Sequence, residues 1–252
     1  MSVMMTIDVE GKIVPDDYSA RGLIRSLELF SDLNVRGTFF VTGRFAENNR
    51  ESIIQTASDG HEIANHGYSH KSLLDLSSQE LKNEIVYSQD ILQKIVKRPI
   101  GFRAPYCSFS TEMFSILKKN GYLYDSSIHP TYIPFRYDNR EYPVISFKKD
   151  GMLIIPISVT PKFRLPIGWI WLRNFGAKWS LAGARSLLRQ GIDVVFYAHS
   201  WEFEDISNLK YVSWLKRRKT GSKFAKMIKI FVTSLLDMGY EFITMEERAR
   251  NG

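Results

Sequence analysis

The stretch MTIDVEG, residues 5–11, ends an apolar run that begins almost at the first residue, and it places two carboxylates, Asp8 and Glu10, two positions apart. Side chains alternate along a strand, so an extended backbone carried to the end of this run points both acids to one side. Short β-branched or aromatic runs of the same kind recur along the chain. Strands are expected at residues 3–8, 37–41, 62–64, 101–103, 153–157, 193–197 and 241–243. Most are flanked by amphipathic stretches. Leu81, Ile85, Ser88, Leu92 and Ile95 recur at a spacing of three or four, as do Leu23, Leu27 and Phe30, and Phe224, Met227, Phe231 and Leu235. Each set makes an apolar stripe facing a core. Ser77 or Ser78 is placed to cap the first of these helices, and Gly60, Gly121, Gly191 and Gly239 sit where helices hand over to strands.

About seven β-then-α units in series predict an α/β fold, a parallel sheet closed or nearly closed into a barrel, as one domain over residues 1–252. An open doubly wound sheet gives a similar string. Residues 127–150 are irregular and rich in Pro, Tyr and charge, which predicts a long excursion over one barrel end.

With 44% apolar and 24% charged residues the chain can bury a sizeable core. No apolar run approaches the ~20 residues of a membrane span, and no basic start with a small-residue cleavage site precedes the first strand. The expected location is therefore the cytoplasm, including the inner membrane surface. The single Cys107 excludes an internal disulfide and a multi-cysteine metal cluster. Thirty-four basic against 27 acidic residues give +7, with much of the excess in residues 210–229. That field attracts anions, whether anionic lipid head groups or a phosphorylated carrier, and a solvated helix face accounts for it as well. Only charge favours nucleic acid, and no such partner is expected. Residues 165–179, LPIGWIWLRNFGAKW, mix tryptophans with Arg173 and Lys178, a pattern of peripheral membrane contact and equally of core packing.

Several chemically capable residues follow separate predicted strands. The C-terminal end of a parallel barrel is where active sites are built, and Asp8 and Glu10 end the first strand there. A capping or loop-stabilising acid pair is the competing reading. NHGYSH, residues 65–70, sets His66 and His70 four apart after the third strand, and two imidazoles so spaced can converge on one divalent ion. In GFRAPY, residues 101–106, Arg103 offers a planar fork for a carboxylate and Pro105 fixes the backbone beside it. VVFYAHSWEF ends an apolar strand at His199, with Trp201 and Glu202 behind it. Trp201 suits stacking on a sugar, or packing behind His199. Singly, Arg103 reads as a structural ion-pair partner and His199 as a core histidine, but chance would not gather them all at one barrel rim.

The ordered set TIDVEG, NHGYSH, FRAPY, YDSS and FYAHSWEF resembles the polysaccharide deacetylase family with the NodB homology domain, carbohydrate esterase family 4. It is most similar to the branch with Asp-x-Glu in place of paired aspartates, which includes deacetylases associated with exopolysaccharide synthesis. The resemblance implies a distorted, incomplete (β/α) barrel with about seven parallel strands, and metal-assisted removal of an N-acetyl group from an amino sugar. It makes Asp8 the general base, His66 and His70 metal ligands, Arg103 the partner of the base, Tyr106 the donor of an oxyanion-binding backbone N–H, and His199 the general acid. Asp125 matches the acid that tunes that histidine. The family's second aspartate is Val9 here, so the third metal ligand falls to Glu10. The usual leucine two residues before the histidine is Tyr197. The implied cofactor is a divalent metal ion, taken as zinc, and the implied partner is an N-acetylated saccharide, free, in a glycan, or lipid- or nucleotide-linked. Two alternatives stand beside this: a deformylase or other amide hydrolase on the same barrel, and a catalytically inactive glycan-binding module.

Overall fold

Alternation along the first strand sorts the molecule into two sides. In the computed structural model, which describes residues 1–251, β1 (Ser2–Val9) sends Val3, Met5, Ile7 and Val9 into a core shared with Leu23, Phe30 and Phe231 of the helices. Met4 instead joins Phe40, Ala64, Tyr124, Ile155 and Val195 in a second cluster inside the curled sheet. Thr6 and Asp8 continue that inner column toward the strand's C-terminal end.

The remaining strands are β2 (Gly37–Val41), β3 (Glu62–Asn65), β4 (Gly101–Phe102), β5 (Tyr124–Asp125), β6 (Tyr132–Ile133), β7 (Tyr137–Asp138), β8 (Phe147–Lys149), β9 (Met152–Ile154), β10 (Val194–His199) and β11 (Glu241–Phe242). The helices are α1 (Asp16–Asp32), α2 (Gly43–Asn48), α3 (Arg50–Ser58), α4 (Ser78–Ile95), α5 (Thr111–Lys119), α6 (Trp169–Phe175), α7 (Ala177–Leu188), α8 (Trp214–Arg217), α9 (Ser222–Leu236) and α10 (Met245–Arg250). The sheet runs β10-β1-β2-β3-β4-β5-β9-β8, with its first seven members mutually parallel and β8 antiparallel at the edge. β9 and β10 do not pair as strands. Beyond β9 the chain crosses the gap with one backbone bond, Ser158 N–H to the Val195 carbonyl at 3.2 Å, answered by Val195 N–H to Ser158 Oγ at 2.8 Å. The barrel is therefore incomplete, as expected.

Seven parallel staves are present, but one differs from the expected set. The run at 241–243 forms β11, which lies beside only Ser2 and Val3 of β1 and is a side branch. The missing stave is β5, two residues long, between β4 and β9. Residues 127–150 do cross one end, and they contain the β6–β7 hairpin and β8. Ser77 caps α4 reciprocally with Glu80, and the α4 stripe of Leu81, Ile85, Ser88 and Leu92 is buried. Gly22 lets α1 lie against the turn after β10: a Cβ there would stand 2.1 Å from the Ser200 carbonyl oxygen. Among the described residues, no helix is long and apolar enough to cross a membrane.

Candidate active site

Register alone brings the chemistry together. Asp8 on β1 is opposite His199 on β10 and Phe40 on β2. His66 directly follows β3 and Arg103 follows β4, each donating its backbone N–H to the strand before it, at 3.0 Å to Val41 and to Asn65 respectively. These neighbouring strand ends open on a cavity of about 490 Å³ lined by Asp8, Glu10, His66, His70, Tyr106 and His199 among others.

The Asp8 carboxylate is buried and bonded at 2.8 Å to Arg103, whose guanidinium also donates to Thr6 Oγ1 (2.9 Å), Ser126 O (3.2 Å) and Ser126 Oγ (3.0 Å). The guanidinium carbon lies 4.1 Å from the centre of the Phe40 ring. Burial by itself would raise the Asp8 pKa, but Arg103, then His66 and His199, outweigh it and hold the carboxyl below its usual range. Arg103 occupies Oδ1. Oδ2 faces the cavity side, 3.7 Å from His66 Nε2.

His66 Nδ1 lies 2.7 Å from the Arg103 carbonyl oxygen. A carbonyl can only accept, so Nδ1 carries the proton and Nε2 presents a lone pair, the arrangement that orients metal-binding imidazoles. His70, held at φ 57°, places Nδ1 3.7 Å from Glu10 Oε2. That oxygen accepts the Lys12 N–H at 2.8 Å, while Glu10 Oε1 and His70 Nδ1 are buried without a hydrogen-bond partner. Burial lowers both histidines, His70 to about 4, so both rings are neutral at pH 7. Two ligands of one tetrahedral zinc lie roughly 3.4 Å apart. The 3.7 Å separation of His70 and Glu10, the neutral rings and the two orphaned atoms fit a divalent cation, although among the described residues no group of three acids, histidines or cysteines is already drawn in around a metal position. Val9 packs into the outer core, away from the acids on either side of it.

His199 is clamped. Glu202 Oε2 accepts its backbone N–H at 2.9 Å and lies 3.3 Å from Nδ1; Tyr197 OH is 3.1 Å from Nε2. Arg173, fully buried, holds the other Glu202 oxygen at 2.5 Å. This corrects one expectation and decides one left open. Asp125 does not reach His199, because its oxygens accept Ser127 N–H (2.9 Å) and Ser127 Oγ–H (2.6 Å). Ser127 Oγ in turn accepts the Ala104 N–H at 2.8 Å, so Asp125 braces the loop after β4, and burial pushes its pKa up to about 7. Arg173 is no surface cation. Trp201 is fully buried and stacked behind His199, its ring 5.1 Å away, whereas Trp169 lines the cavity and meets the imidazole edge-on at 4.8 Å.

Tyr106 stands in left-handed geometry, φ 60°, at the cavity wall, with its ring edge-on to His70 at 4.7 Å. Cys107 beside it is a thiol, its pKa pushed up to about 12 by burial. The sequence reading missed His129, which lines the cavity and bonds Tyr137 OH at 2.9 Å, and assigned no role to Glu202. Glu202 had a signal, lying three residues after His199 in the quoted stretch. His129 had none.

Strand-end acids, paired imidazoles and a clamped histidine thus meet in one mouth of an α/β barrel. Residues 11–124 match the family model described as polysaccharide deacetylase. The matched segment holds His66, His70, Arg103 and Tyr106, while Asp8, Glu10, Asp125 and His199 lie outside it. The chain is 31% identical over 134 residues to a peptidoglycan deacetylase of Helicobacter pylori, covering 50% of this chain and 45% of that protein. It is 34% identical over 96 residues to a chitooligosaccharide deacetylase of Azorhizobium caulinodans, covering 37% and 46%. The chain thus spans about half the length of these relatives. A family 4 carbohydrate esterase from Streptomyces lividans shares the fold at TM-score 0.59 and 17% identity, over 96% of this chain and 91% of that one. So does a structure described as a CE4 family pseudoenzyme from Bacillus anthracis, at TM-score 0.62 and 16% identity over 98% and 65%.

Proposed function

We propose that the chain hydrolyses the N-acetyl amide of an amino sugar, releasing acetate and a free amine. The observation that carries this reading is the placement of Asp8 and His199 on paired register positions of one cavity, with Arg103 behind the first and Glu202 behind the second. Glu10, His66 and His70 are the residues that would hold a divalent metal ion, zinc in our reading; bound there it would polarise the amide carbonyl and acidify water. Asp8 Oδ2, the oxygen that Arg103 leaves free, takes the proton of the attacking water. The Tyr106 N–H stabilises the oxyanion, a contribution of ~3 kcal/mol for a well-aimed donor. His199 Nε2, steadied by Tyr197 OH, gives a proton to the leaving nitrogen as the C–N bond breaks.

The saccharide is free, in a glycan, or linked to a lipid or nucleotide. A membrane surface is the further partner we propose. Exposed Phe135 adjoins cavity-lining Arg136, exposed Trp214 and Leu215 adjoin cavity-lining Lys216, and Phe175 stacks on Trp171 with ring centres 5.6 Å apart and tilts against Trp179 at 5.5 Å. Acetate release from N-acetylglucosamine oligomers and peptidoglycan fragments, with formylated sugars and cyclic ureides alongside, tests the reaction. Turnover of only the formylated or ring substrates would overturn the acetyl assignment.

A second reading, a glycan-binding module without catalysis, rests on Val9, which stands where the resembled family has its second aspartate and packs into the outer core. It predicts saccharide binding with no acetate release under any metal supplement.

A further inference from the structure

We infer that Lys12, Arg136 and Lys216 form a subsite at the cavity mouth for a phosphoryl group on the sugar, so that the substrate class is glycosyl phosphates and diphosphates. The inference rests on the amide-hydrolase reading of the same cavity and names its substrate. The three cations come from distant segments, the stretch after β1, the turn between β6 and β7, and α8, yet all line one cavity. Several basic residues elsewhere find acids, among them Arg21 with Asp17, Lys97 with Glu246, Arg140 with Asp138 and Arg248 with Asp193. Among the described residues, none of the three enters an ion pair.

Lys216 is half-buried, and burial, then the neighbouring Arg136 charge, pulls its pKa down, with Glu10 acting the other way. Holding like charges together in a partly desolvated place is unfavourable unless an anion joins them. The cavity's own acids do not serve. Asp8 is engaged by Arg103, and Glu10 by the Lys12 N–H while it faces His70. A phosphoryl group brings up to two charges and three acceptor oxygens, enough for an arginine fork and two ammonium groups together. Ile13, Ile133, Trp169 and Trp171 complete the lining with apolar and aromatic surface suited to a sugar face.

The test is calorimetric binding of N-acetylglucosamine 1-phosphate, its uridine diphosphate conjugate and a short-chain polyprenyl diphosphate conjugate, against N-acetylglucosamine and N-acetylmuramic acid, with acetate release followed in parallel. The phosphorylated forms should bind at least about tenfold more tightly than N-acetylglucosamine. The double variant Arg136→Gln, Lys216→Gln should lose that preference, and Lys226→Gln on the exposed side of α9 should keep it. The tighter of the two diphosphates names the carrier. Equal affinity for phosphorylated and neutral sugars, a preference that survives the double variant, or stronger binding of the muramic carboxylate would overturn the subsite. Phosphate preference with no acetate released from any sugar would refute the hydrolase reading and leave the subsite standing.

Discussion

Asp8 and Glu10 leave the same strand end on the same side, yet their neighbours give them different work. Arg103 takes one oxygen of Asp8 and depresses its pKa, whereas Glu10 keeps an oxygen with no partner beside His70. Asp8→Asn should therefore lower kcat by about 10²–10⁴ while metal content stays near that of the wild type. Arg103→Ala leaves a buried carboxylate unpaired and should cost ~3–5 kcal/mol in denaturant unfolding at pH 7. At the acid histidine, Glu202→Gln should reduce kcat by at least about tenfold, since a carboxylate behind an imidazole orients it for proton transfer. Asp125→Asn should loosen the Ala104–Tyr106 loop and lower kcat less than Glu202→Gln does. If Asp125→Asn costs more in kcat than Glu202→Gln, the partner assignment is reversed. Residue types were legible here because each follows a strand, but the partner of His199 depended on which carboxylate folds back, and the resemblance pointed only to Asp125.

At the scale of elements, strands long enough to show alternation were readable, and β5 was not. Two residues, Tyr124 and Asp125, cannot display a period, so the stave that carries the Asp125 brace was invisible while the longer apolar run at 241–243 looked like a better strand. The opposite end of β3 holds a second buried acid. Glu62 accepts Tyr124 OH, Thr38 Oγ1–H and the Glu246 N–H, each at 2.7 Å, and burial raises its pKa to about 7 despite them. A carboxyl raised in the fold stabilises it while protonated, fully below its unfolded value of about 4.5, and that contribution is lost as pH rises through about 7. Glu62→Gln keeps a neutral group there at every pH. Urea midpoints should show the variant gaining on the wild type between pH 5 and pH 8; a constant difference would contradict the raised pKa.

Across the whole molecule, an incomplete barrel places its chemistry at one rim, and the same rim carries exposed aromatics beside unpaired cations. Vesicles with anionic lipid should co-float the protein at low salt, with binding weakened as salt rises and by Trp214→Ser; no flotation at low salt would remove the membrane partner. The repeating β-then-α string made the barrel legible, but the cavity's depth and its ring of cations come from residues brought together only by folding. In the proposed chemistry one acid binds and the other reacts. Metal stoichiometry measured with acetate release on wild type, Asp8→Asn and Glu10→Gln tests it directly. Asp8→Asn should be metal-replete and inactive, and Glu10→Gln should lose metal and activity together; loss of metal in Asp8→Asn with metal and activity intact in Glu10→Gln would contradict this division of roles.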